Sequence, residues 1–368
     1  MEELIKPYPA AIRLKIYEIS HQAVNEKRLR RIFPPKPVSA GIILSYRCTG
    51  ECRHCMYACS PKWSGDWISE NDLYRILSQL SDKILPSPLG RDRVGINYGL
   101  HLTGGEPFLN FDLLVKGVEM AKDLGIPSIF VETNSFWCVD DESTRRRLET
   151  LRDAGLDGIL VSVNPFLVEH VPFERIVRDV EISRQIFGEN LMVYQELFYH
   201  LFKRMNLKGR LSFEEYLRMG GARWLGFAEL IPMGRACYRL RDLFHKYTAK
   251  RFLKERCRDS LLRDWHVHID NYGNYMTGYC GGISLGDARD LDQLIENGVD
   301  LDDRPILGAL MENLGELYDF AVKEFGYRER PDGYISKCDL CLDIRRHIVQ
   351  QTDEFVELSP REFYEHLL

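Results

Sequence analysis

The chain has 368 residues, of which 45% are hydrophobic and 28% are charged, proportions close to those of folded globular domains. These values exclude a chain that is disordered overall or collagen-like. The 49 basic and 55 acidic residues give a net charge of −6, which argues against a general electrostatic attraction to nucleic acid or to an anionic membrane surface.

Residues 1–38 form an N-terminal extension ahead of the first predicted strand. The basic run at 27–31 is expected to be a solvated helix face. The extension lacks the apolar block of a signal peptide, and no segment approaches the ~18 apolar residues of a membrane-spanning helix. We therefore expect a cytoplasmic protein without a membrane or nucleic-acid partner.

Ten cysteines without a secretion signal favour metal binding or redox chemistry over a disulfide framework. Their positions are informative, because four lie within residues 48–59 and four lie in the last third of the chain. The first group is Cys48, Cys52, Cys55 and Cys59, the second is Cys257, Cys280, Cys338 and Cys341, and the isolated pair is Cys138 and Cys237.

Short apolar runs alternate with helix-like segments over residues 39–236, a pattern typical of a parallel sheet with crossover helices. The pattern predicts an α/β fold, a partial (β/α)6 barrel resembling the TIM barrel. Ligand sites in such sheets lie at the carboxyl ends of the strands. The six predicted strands are 40–46, 96–103, 127–133, 157–163, 191–198 and 223–230.

Helix boundaries carry recognisable signals. Ser69 precedes a helix as its N-cap, followed by an apolar face. Gly125 is predicted to end a second helix, and Pro172 to precede a third. The three apolar faces are Leu73, Ile76, Leu77 and Leu80; Leu114, Val118, Ala121 and Leu124; and Phe173, Ile176, Val177 and Val180.

Residues 237–368 depart from this alternation and are predicted to form a small C-terminal α+β module. A charged helix is expected near 239–256, followed by a hairpin that turns at an Asn-Tyr-Gly sequence. The acidic stretch 287–303 is interpreted as a loop or insertion, and the remainder as helical.

Cys48, Cys52 and Cys55 lie in a loop directly after the first predicted strand. Three thiolates on a four-iron cluster leave one iron free for an outside ligand, although a three-cysteine loop is also compatible with zinc. Cys59 is interpreted as a packing residue, because three cysteines complete the pattern.

This Cys-x3-Cys-x2-Cys loop, followed by Leu-Thr-Gly-Gly-Glu-Pro at 102–107 after the second strand, resembles the radical S-adenosylmethionine (SAM) superfamily over residues 39–236. The resemblance implies a [4Fe–4S] cluster whose free iron chelates the amino and carboxylate groups of SAM. One electron, from a flavodoxin- or ferredoxin-type reductant, then splits SAM into methionine and a 5′-deoxyadenosyl radical.

The resemblance also implies cofactor contacts at individual positions. Glu106 is expected to fix its turn or to accept a proton. Ser135 departs from the family's Thr-Asn-Gly, and Asn164 stands where an aspartate is common. Adenine contacts are implied for Ile231 and His54, with a core isoleucine and an exposed histidine as the alternatives. The cofactor-binding residues so implied are His54, Gly104, Gly105, Glu106, Asn134, Ser162 and Ile231.

The second cysteine group supplies four soft ligands for zinc or for a second cluster. It resembles the auxiliary-cluster module called Twitch, a shortened relative of the SPASM domain, and four cysteines allow one auxiliary [4Fe–4S] cluster. Cys257 is the least secure member because its sequence context is charged. His266 and His268 are alternative ligands, although histidines satisfied at the surface are commoner.

These motifs predict an enzyme that abstracts a hydrogen atom, with net oxidation of the substrate assisted by the auxiliary cluster. The short N-terminal extension favours a small molecule or a short peptide. Modification of a ribosomally made peptide or protein is the runner-up, and a non-catalytic iron–sulfur electron carrier is the alternative from another class. Strand residues that could line the cavity, or pack in the core or rim, are Tyr98, His101, Glu196, Tyr199 and Glu229.

Overall fold

The structure is a computed structural model that describes residues 30–368. Most of the predicted N-terminal extension and residues 27–29 of the basic run lie outside the described residues. Within 30–368, none of the helices combines the length and apolar character that a membrane crossing needs.

A seven-stranded, mostly parallel sheet forms the centre of the described chain, in the order β6-β5-β4-β3-β2-β7-β8. Its first five strands run parallel, and β2 and β3 are buried along their whole length, as expected for a sheet covered on both faces. The strands are β2 (Ala40–Ile43), β3 (Leu100–Thr103), β4 (Ile129–Thr133), β5 (Gly158–Ser162), β6 (Leu191–Tyr194), β7 (Val267–Ile269) and β8 (Tyr275–Met276).

A helix follows each of the five strands β2 to β6, which gives the repeated strand–helix pattern of a partial barrel. The α/β fold predicted from the sequence is confirmed. These helices are α1 (Glu70–Leu80), α2 (Phe111–Asp123), α3 (Asp141–Asp153), α4 (Phe173–Phe187) and α5 (Glu196–Arg204), and a further short helix is α6 (Phe213–Arg218).

The predicted helix boundaries have the expected physical causes. The Ser69 hydroxyl accepts a hydrogen bond from the Asp72 N–H at 3.0 Å and so caps α1. Gly125 follows α2 with a φ of +72°, a conformation that glycine adopts without a Cβ penalty. The predicted apolar face of α1 is buried: Leu73, Ile76, Leu77 and Leu80.

The predicted strand at 223–230 is wrong, because Gly221–Phe227 form a 3-10 helix. Gly220, with a φ of +82°, turns the chain just before it, and most of the side chains that follow are exposed or half-buried. A parallel strand needs burial on both faces. The sixth parallel strand is instead β7, which pairs with β2 on the opposite side of the sheet.

The predicted hairpin forms from β7 and β8, and it extends the main sheet through the β2–β7 pairing rather than standing apart. The predicted helix over 239–256 is wrong. The backbone at Tyr247 is held extended by a reciprocal pair of hydrogen bonds with Tyr334, at 2.8 and 2.7 Å, and only short turns surround it. The short helices here are α7 (Ala236–Arg239) and α8 (Arg258–Leu261), with 3-10 turns at Arg241–Leu243 and Ala249–Arg251.

The acidic stretch 287–303 is also more regular than predicted. It contains α9 (Leu291–Asn297) and β9 (Val299–Asp300), which pairs with β1 (Arg31–Ile32). Its acids pair with cations of the α1 region, as Asp292 does with the buried Lys83 at 2.7 Å. The predicted helical remainder is confirmed by α10 (Pro305–Glu312), α11 (Leu314–Phe325) and α12 (Lys337–Val349). The division between residues 236 and 237 stays a prediction.

We expect Leu77→Ala to lower the free energy of unfolding by about 2–5 kcal/mol, because Leu77 is fully buried on the inner face of α1 and its loss leaves a cavity. Tyr74→Ala, on the exposed face of the same helix, is the matched control with an expected change within about 0.5 kcal/mol. Urea unfolding followed by circular dichroism measures both. Equal effects of the two substitutions would contradict this packing.

Candidate active site

A cavity of about 370 Å³ opens at the carboxyl ends of the parallel strands. Its wall combines the cysteine loop after β2, the Gly-Gly turn after β3 and the ends of β4, β5 and β6. The structure brings nearly all predicted residues of the first site to this wall. They are Cys48, Cys52, His54, Cys55, Gly104, Gly105, Asn134, Ser162 and Ile231.

The cysteine loop is closed at its base by backbone hydrogen bonds. The Cys48 N–H donates to the Ser60 carbonyl at 3.2 Å, and the Ser60 N–H donates to the Tyr46 carbonyl at 3.1 Å. Within the loop, the Cys55 N–H donates to the Cys52 carbonyl at 3.1 Å. These bonds hold the three predicted ligands on one compact loop at the end of β2.

Arg235 holds the same loop in place through hydrogen bonds to its carbonyl groups. Its side chain is buried, and its guanidinium donates to the carbonyl oxygens of Cys52 at 3.0 Å, Ala58 at 2.8 Å and Cys59 at 3.0 Å. The Arg235 N–H adds a bond to the Cys55 carbonyl at 3.0 Å. Arg235 therefore satisfies four carbonyls of the loop, three through its side chain and one through its backbone.

The thiols of the loop differ in their surroundings. Burial raises the pKa of Cys48 to about 12 and also raises the pKa of Cys52. A hydrogen bond from Cys59 lowers the pKa of Cys55, and the Cys59 N–H lies 3.3 Å from the Cys55 sulfur. Cys59 thus lies beside a predicted ligand, and its own exclusion as a ligand stays a prediction.

Glu106 does not line the cavity but joins two segments that do. Its buried carboxylate accepts from the Thr133 hydroxyl at 3.0 Å, from the Asn134 N–H at 2.7 Å and from the Phe108 N–H at 3.2 Å. Burial raises the pKa of Glu106 to about 8, against the lowering effect of these donors. Glu106 therefore holds the turn after β3 against the end of β4.

The Gly-Gly turn lies close to the strand that leads into the cysteine loop. The Gly105 N–H donates to the Ser45 carbonyl at 2.8 Å, and the Glu106 N–H to the Arg47 carbonyl at 3.0 Å. A Cβ on Gly105 would overlap the Arg47 carbonyl. The second glycine is thus required by this close approach of two backbones.

Asn134 points its side-chain amide at the cysteine loop. Its Nδ2 donates to the Thr49 hydroxyl at 3.0 Å and lies 3.7 Å from the Cys48 sulfur. Ser135, which replaces a glycine, has a φ of +65°. Its hydroxyl donates to the buried Asp179 at 2.6 Å, which compensates for the unfavourable backbone conformation.

His54 is half-buried and not exposed. Its ring stacks on Phe166 with centroids 5.0 Å apart. The Asn164 oxygen accepts from the N–H groups of Phe166 and Leu167, so its Nδ2 donates to the Nε2 of His54 at 3.3 Å. This bond places the His54 proton on Nδ1, and burial lowers the pKa of His54 to about 4.

Five strand residues that the sequence motifs did not indicate also line the cavity: Thr103, Phe130, Glu132, Leu160 and Tyr194. The Thr103 hydroxyl donates to Glu132 at 2.7 Å, and the Tyr194 hydroxyl donates to Glu229 at 2.6 Å. About one third of the Glu132 side chain is exposed, towards the cavity, and burial by the surrounding protein raises its pKa.

Among the strand candidates left open, His101 and Glu229 line the cavity. Tyr98 is exposed before β3, and Glu196 and Tyr199 lie in α5 and do not line it. Side chains alternate between the two faces of a strand, so this assignment depends on the register. In the sequence, residues that share a strand face can be recognised only as pairs two positions apart, such as His101 and Thr103.

A second, smaller cavity of about 30 Å³ brings together all four C-terminal cysteines. Burial raises the pKa of Cys257 to about 12 and that of Cys280 to about 11. The buried Arg345 lies in the same wall and donates to the Gly281 carbonyl at 3.1 Å. The four are Cys257, Cys280, Cys338 and Cys341, so Cys257 faces the other three rather than solvent.

His266 and His268 do not line this second cavity. Both are buried, which contradicts the expectation of surface histidines, and both line the main cavity. The reason is that β7 belongs to the main sheet and carries them next to β2.

The two cavities adjoin each other. Tyr279 lines both of them, and it directly precedes Cys280. A Cβ on Gly281 would come within 3.0 Å of the Met56 carbonyl in the first cysteine loop. Backbone segments of the two sites are therefore in direct contact.

Comparison with known families supports this arrangement of motifs. The family profile described as the radical SAM superfamily matches residues 42–191, from β2 to the start of β6. Residues 42–191 are a radical SAM domain. The match implies SAM and a SAM-binding [4Fe–4S] cluster for this domain.

Solved structures of radical SAM enzymes resemble the chain in fold. They include BtrN in complex with AdoMet and 2-DOIA, at 12% identity and a TM-score of 0.43, covering 78% of this chain and 91% of that one. They also include anSMEcpe with bound AdoMet, at 12% identity and a TM-score of 0.41, covering 86% and 98% respectively. SuiB of Streptococcus suis matches at 13% identity and a TM-score of 0.35, covering 89% and 83%.

The likeness to these structures is one of fold alone. No curated protein shows a significant sequence match to the chain.

We expect Arg235→Lys to lower both the iron content after anaerobic reconstitution and the free energy of unfolding. A lysine cannot reproduce the planar fork that reaches three carbonyls, and each lost charge-assisted bond costs about 1.5–3 kcal/mol. Iron analysis and urea unfolding measure the two effects. Arg239→Lys, at an exposed position in the next turn, is the matched control, and equal behaviour of the two variants would contradict the role of Arg235.

Proposed function

We propose that the protein abstracts a hydrogen atom from a small molecule or short peptide held in the main cavity, and that a second [4Fe–4S] cluster assists a net oxidation. The observation that carries this proposal is the adjacency of two cavities, one lined by Cys48, Cys52 and Cys55 and the other by four further cysteines. Tyr279 is common to both walls.

The first cluster is assigned to Cys48, Cys52 and Cys55. The donor set fits the group, because three soft thiols lie on one loop and the Asn134 amide approaches the Cys48 sulfur at 3.7 Å. When bound, the cluster and SAM supply a 5′-deoxyadenosyl radical by one-electron cleavage of the sulfonium. A flavodoxin- or ferredoxin-type protein is proposed as the electron donor.

SAM is assigned to the wall between this loop and the strand ends. The Gly104 and Gly105 backbone offers carbonyl and N–H groups, and Ser162 and Asn134 offer side-chain donors and acceptors. The Ile231 segment and His54 supply contacts for the adenine ring. Glu106 acts indirectly, because its carboxylate holds the Gly-Gly turn and the Asn134 backbone together.

The auxiliary cluster is assigned to Cys257, Cys280, Cys338 and Cys341. All four line the same small cavity, which supports four protein ligands rather than three. We propose that they belong to a Twitch-like C-terminal module that begins near residue 237. When bound, such a cluster supplies a one-electron acceptor close to the main cavity.

Glu132 is proposed as the proton acceptor. Net oxidation of a C–H bond removes one hydrogen atom, then one proton and one electron, so a base has to lie beside the substrate. Glu132 faces the cavity, and the Thr103 hydroxyl orients its carboxylate at 2.7 Å. Burial raises the pKa of Glu132, which brings this pKa closer to the value of an effective general base at neutral pH.

The size of the cavity supports a small substrate. At about 370 Å³ it lies near the lower end of ligand pockets, and it has to accommodate SAM as well. Its inner wall is partly apolar, with Phe130 and Leu160. The ten cysteines are all free thiols, which supports a reducing, cytoplasmic compartment.

We expect the reconstituted protein to bind about eight irons per chain, in two four-iron clusters. The double variant Cys338→Ala/Cys341→Ala should retain about four irons and still release 5′-deoxyadenosine from SAM with dithionite. Cys52→Ala should lose SAM cleavage but keep the iron of the second site. Iron analysis and chromatography of the reaction products measure these outcomes.

The electron paramagnetic resonance signal of the reduced first cluster should change when SAM is added, because SAM would bind to one iron. An unchanged signal together with absent SAM cleavage would support an electron carrier instead. Zinc in the second site of the protein as isolated would contradict the auxiliary cluster and leave the first assignment intact.

We expect Glu132→Gln to reduce substrate oxidation by about a hundredfold or more, because glutamine keeps the shape of the side chain but cannot accept a proton. Mass spectrometry of anaerobic incubations with candidate small molecules and short peptides would detect a product lighter by two hydrogens. Uncoupled SAM cleavage is the internal control and should be unchanged. Product formation at the wild-type rate would show that another group takes the proton.

A further inference from the structure

Three buried histidines converge in the wall of the main cavity and have no part in the motifs described above. His101 lies in β3, His268 in β7 and His266 just before β7. Each has a nitrogen within 4.8 Å of a nitrogen of the other two, the only such group of three potential metal ligands found in residues 30–368. Their exposed fractions are 4%, 1% and 6% for His101, His266 and His268.

The sheet register explains why the rings meet. Strand β2 lies between β3 and β7, and Gly41 is paired with His101 on one side and with His268 on the other. A Cβ on Gly41 would overlap the imidazole of His101 and lie 2.8 Å from a ring carbon of His268. The missing side chain at Gly41 is therefore what allows the two imidazoles to approach across β2.

Hydrogen bonding leaves ring nitrogens of this cluster free for a ligand. The Ser39 hydroxyl donates to the Gly99 carbonyl at 3.0 Å, so its lone pair accepts from the Nδ1 of His266 at 2.8 Å. That bond leaves Nε2 of His266 as the unprotonated nitrogen. A polar second partner that fixes the tautomer in this way is typical of metal-binding histidines.

His101 is the least satisfied member. Neither of its ring nitrogens has a hydrogen-bond partner among residues 30–368, although both are buried. An unsatisfied buried polar group costs about 1–3 kcal/mol, so its persistence in the wall of a cavity points to a ligand. Burial favours the neutral form of an imidazole, which is the form that binds metals.

We propose that His101, His266 and His268 bind one divalent transition-metal ion of the zinc class in the wall of the main cavity. Three neutral imidazoles with an open fourth position are a common zinc donor set. Tetrahedral zinc at about 2.0–2.1 Å from each nitrogen places the nitrogens about 3.4 Å apart. The three histidine nitrogens lie within 4.8 Å of one another. The carboxylate of Glu132, 3.6 Å from Nε2 of His101, contributes a nearby negative charge.

The open coordination position would face the cavity, because all three histidines line it. An oxygen or nitrogen atom of the substrate is the ligand that fits there, which would hold the substrate below the SAM site. His101 precedes Thr103 by two residues on β3, a distance of about 6.6 Å along the strand. The metal would therefore lie further from the carboxyl end of β3 than Thr103 does. This substrate role rests on the proposed function, whereas metal binding itself does not.

Zinc binding can be tested on the full-length protein with its iron sites reconstituted anaerobically. After treatment with a chelator, Zn²⁺ alone is added, and zinc per chain is measured by elemental analysis and its ligands by zinc-edge X-ray absorption. We expect about one zinc with a nitrogen and oxygen shell and no sulfur near 2.3 Å. A sulfur shell would mean that zinc occupies a cysteine site and would overturn the proposal, as would the absence of bound zinc.

Variants test the assignment of ligands. His101→Gln and His266→Gln should each weaken zinc binding by at least about tenfold. Gly41→Ala should weaken it as well, although it removes no ligand, because it displaces the His101 ring. His200→Gln, at an exposed position in α5, is the control and should bind zinc like the wild type.

Circular dichroism and iron content identify any variant that fails to fold. The zinc measurement on the wild-type protein tests the proposal even if every variant is unfolded. Equal zinc affinity in all variants would overturn it. SAM cleavage with dithionite, measured on the same samples before zinc is added, reports separately on the proposed function. If SAM is not cleaved but zinc still binds to the histidines, the result would contradict the proposed function and not the metal site.

Discussion

The rest of the site depends on one buried cation, the guanidinium of Arg235. It binds three carbonyls of the first cysteine loop and, through Nε, the carbonyl of His366 at 3.0 Å near the C-terminus. A buried charge is costly unless it is compensated. Here the compensation comes from four carbonyl oxygens, three in the cysteine loop and one near the C-terminus. Arg235 therefore links the cysteine loop to the C-terminal segment.

Strand β7 provides the second connection between the two sites. It comes from the C-terminal third of the chain, yet it pairs with β2, the strand that leads into the first cysteine loop. Strand β8 follows antiparallel to β7, and Cys280 comes four residues after its last residue, Met276. The position of the second cavity relative to the first is therefore set by strand pairing and not by a flexible linker. A fixed distance for electron transfer between the two proposed clusters would require such a rigid connection.

The features that were readable from the sequence are local ones. Spacing within residues 48–55, the Gly-Gly turn and the cap at Ser69 each depend on a few consecutive residues, and the structure has them where the pattern predicts. The strand predicted at 223–230 failed because its apolar residues are only half-buried or exposed, which hydrophobicity alone does not reveal. The histidine cluster was missed because it depends on the pairing of β2 with β7, a contact between residues more than 200 positions apart. The predicted ligand and SAM contacts remain predictions, since geometry places these residues without showing what they bind.

Buried polar side chains in neighbouring parts of the sheet differ in whether they have hydrogen-bond partners. Ser128, buried next to β4, both donates to the Arg91 carbonyl and accepts from the Ser87 N–H, as a structural hydroxyl does. His101 in the neighbouring strand, where it is paired with Phe130, has no hydrogen-bond partner for either ring nitrogen. Gly41 in the adjacent strand has no side chain, and this leaves room for the His101 ring. That combination is expected where a ring nitrogen is reserved for a ligand.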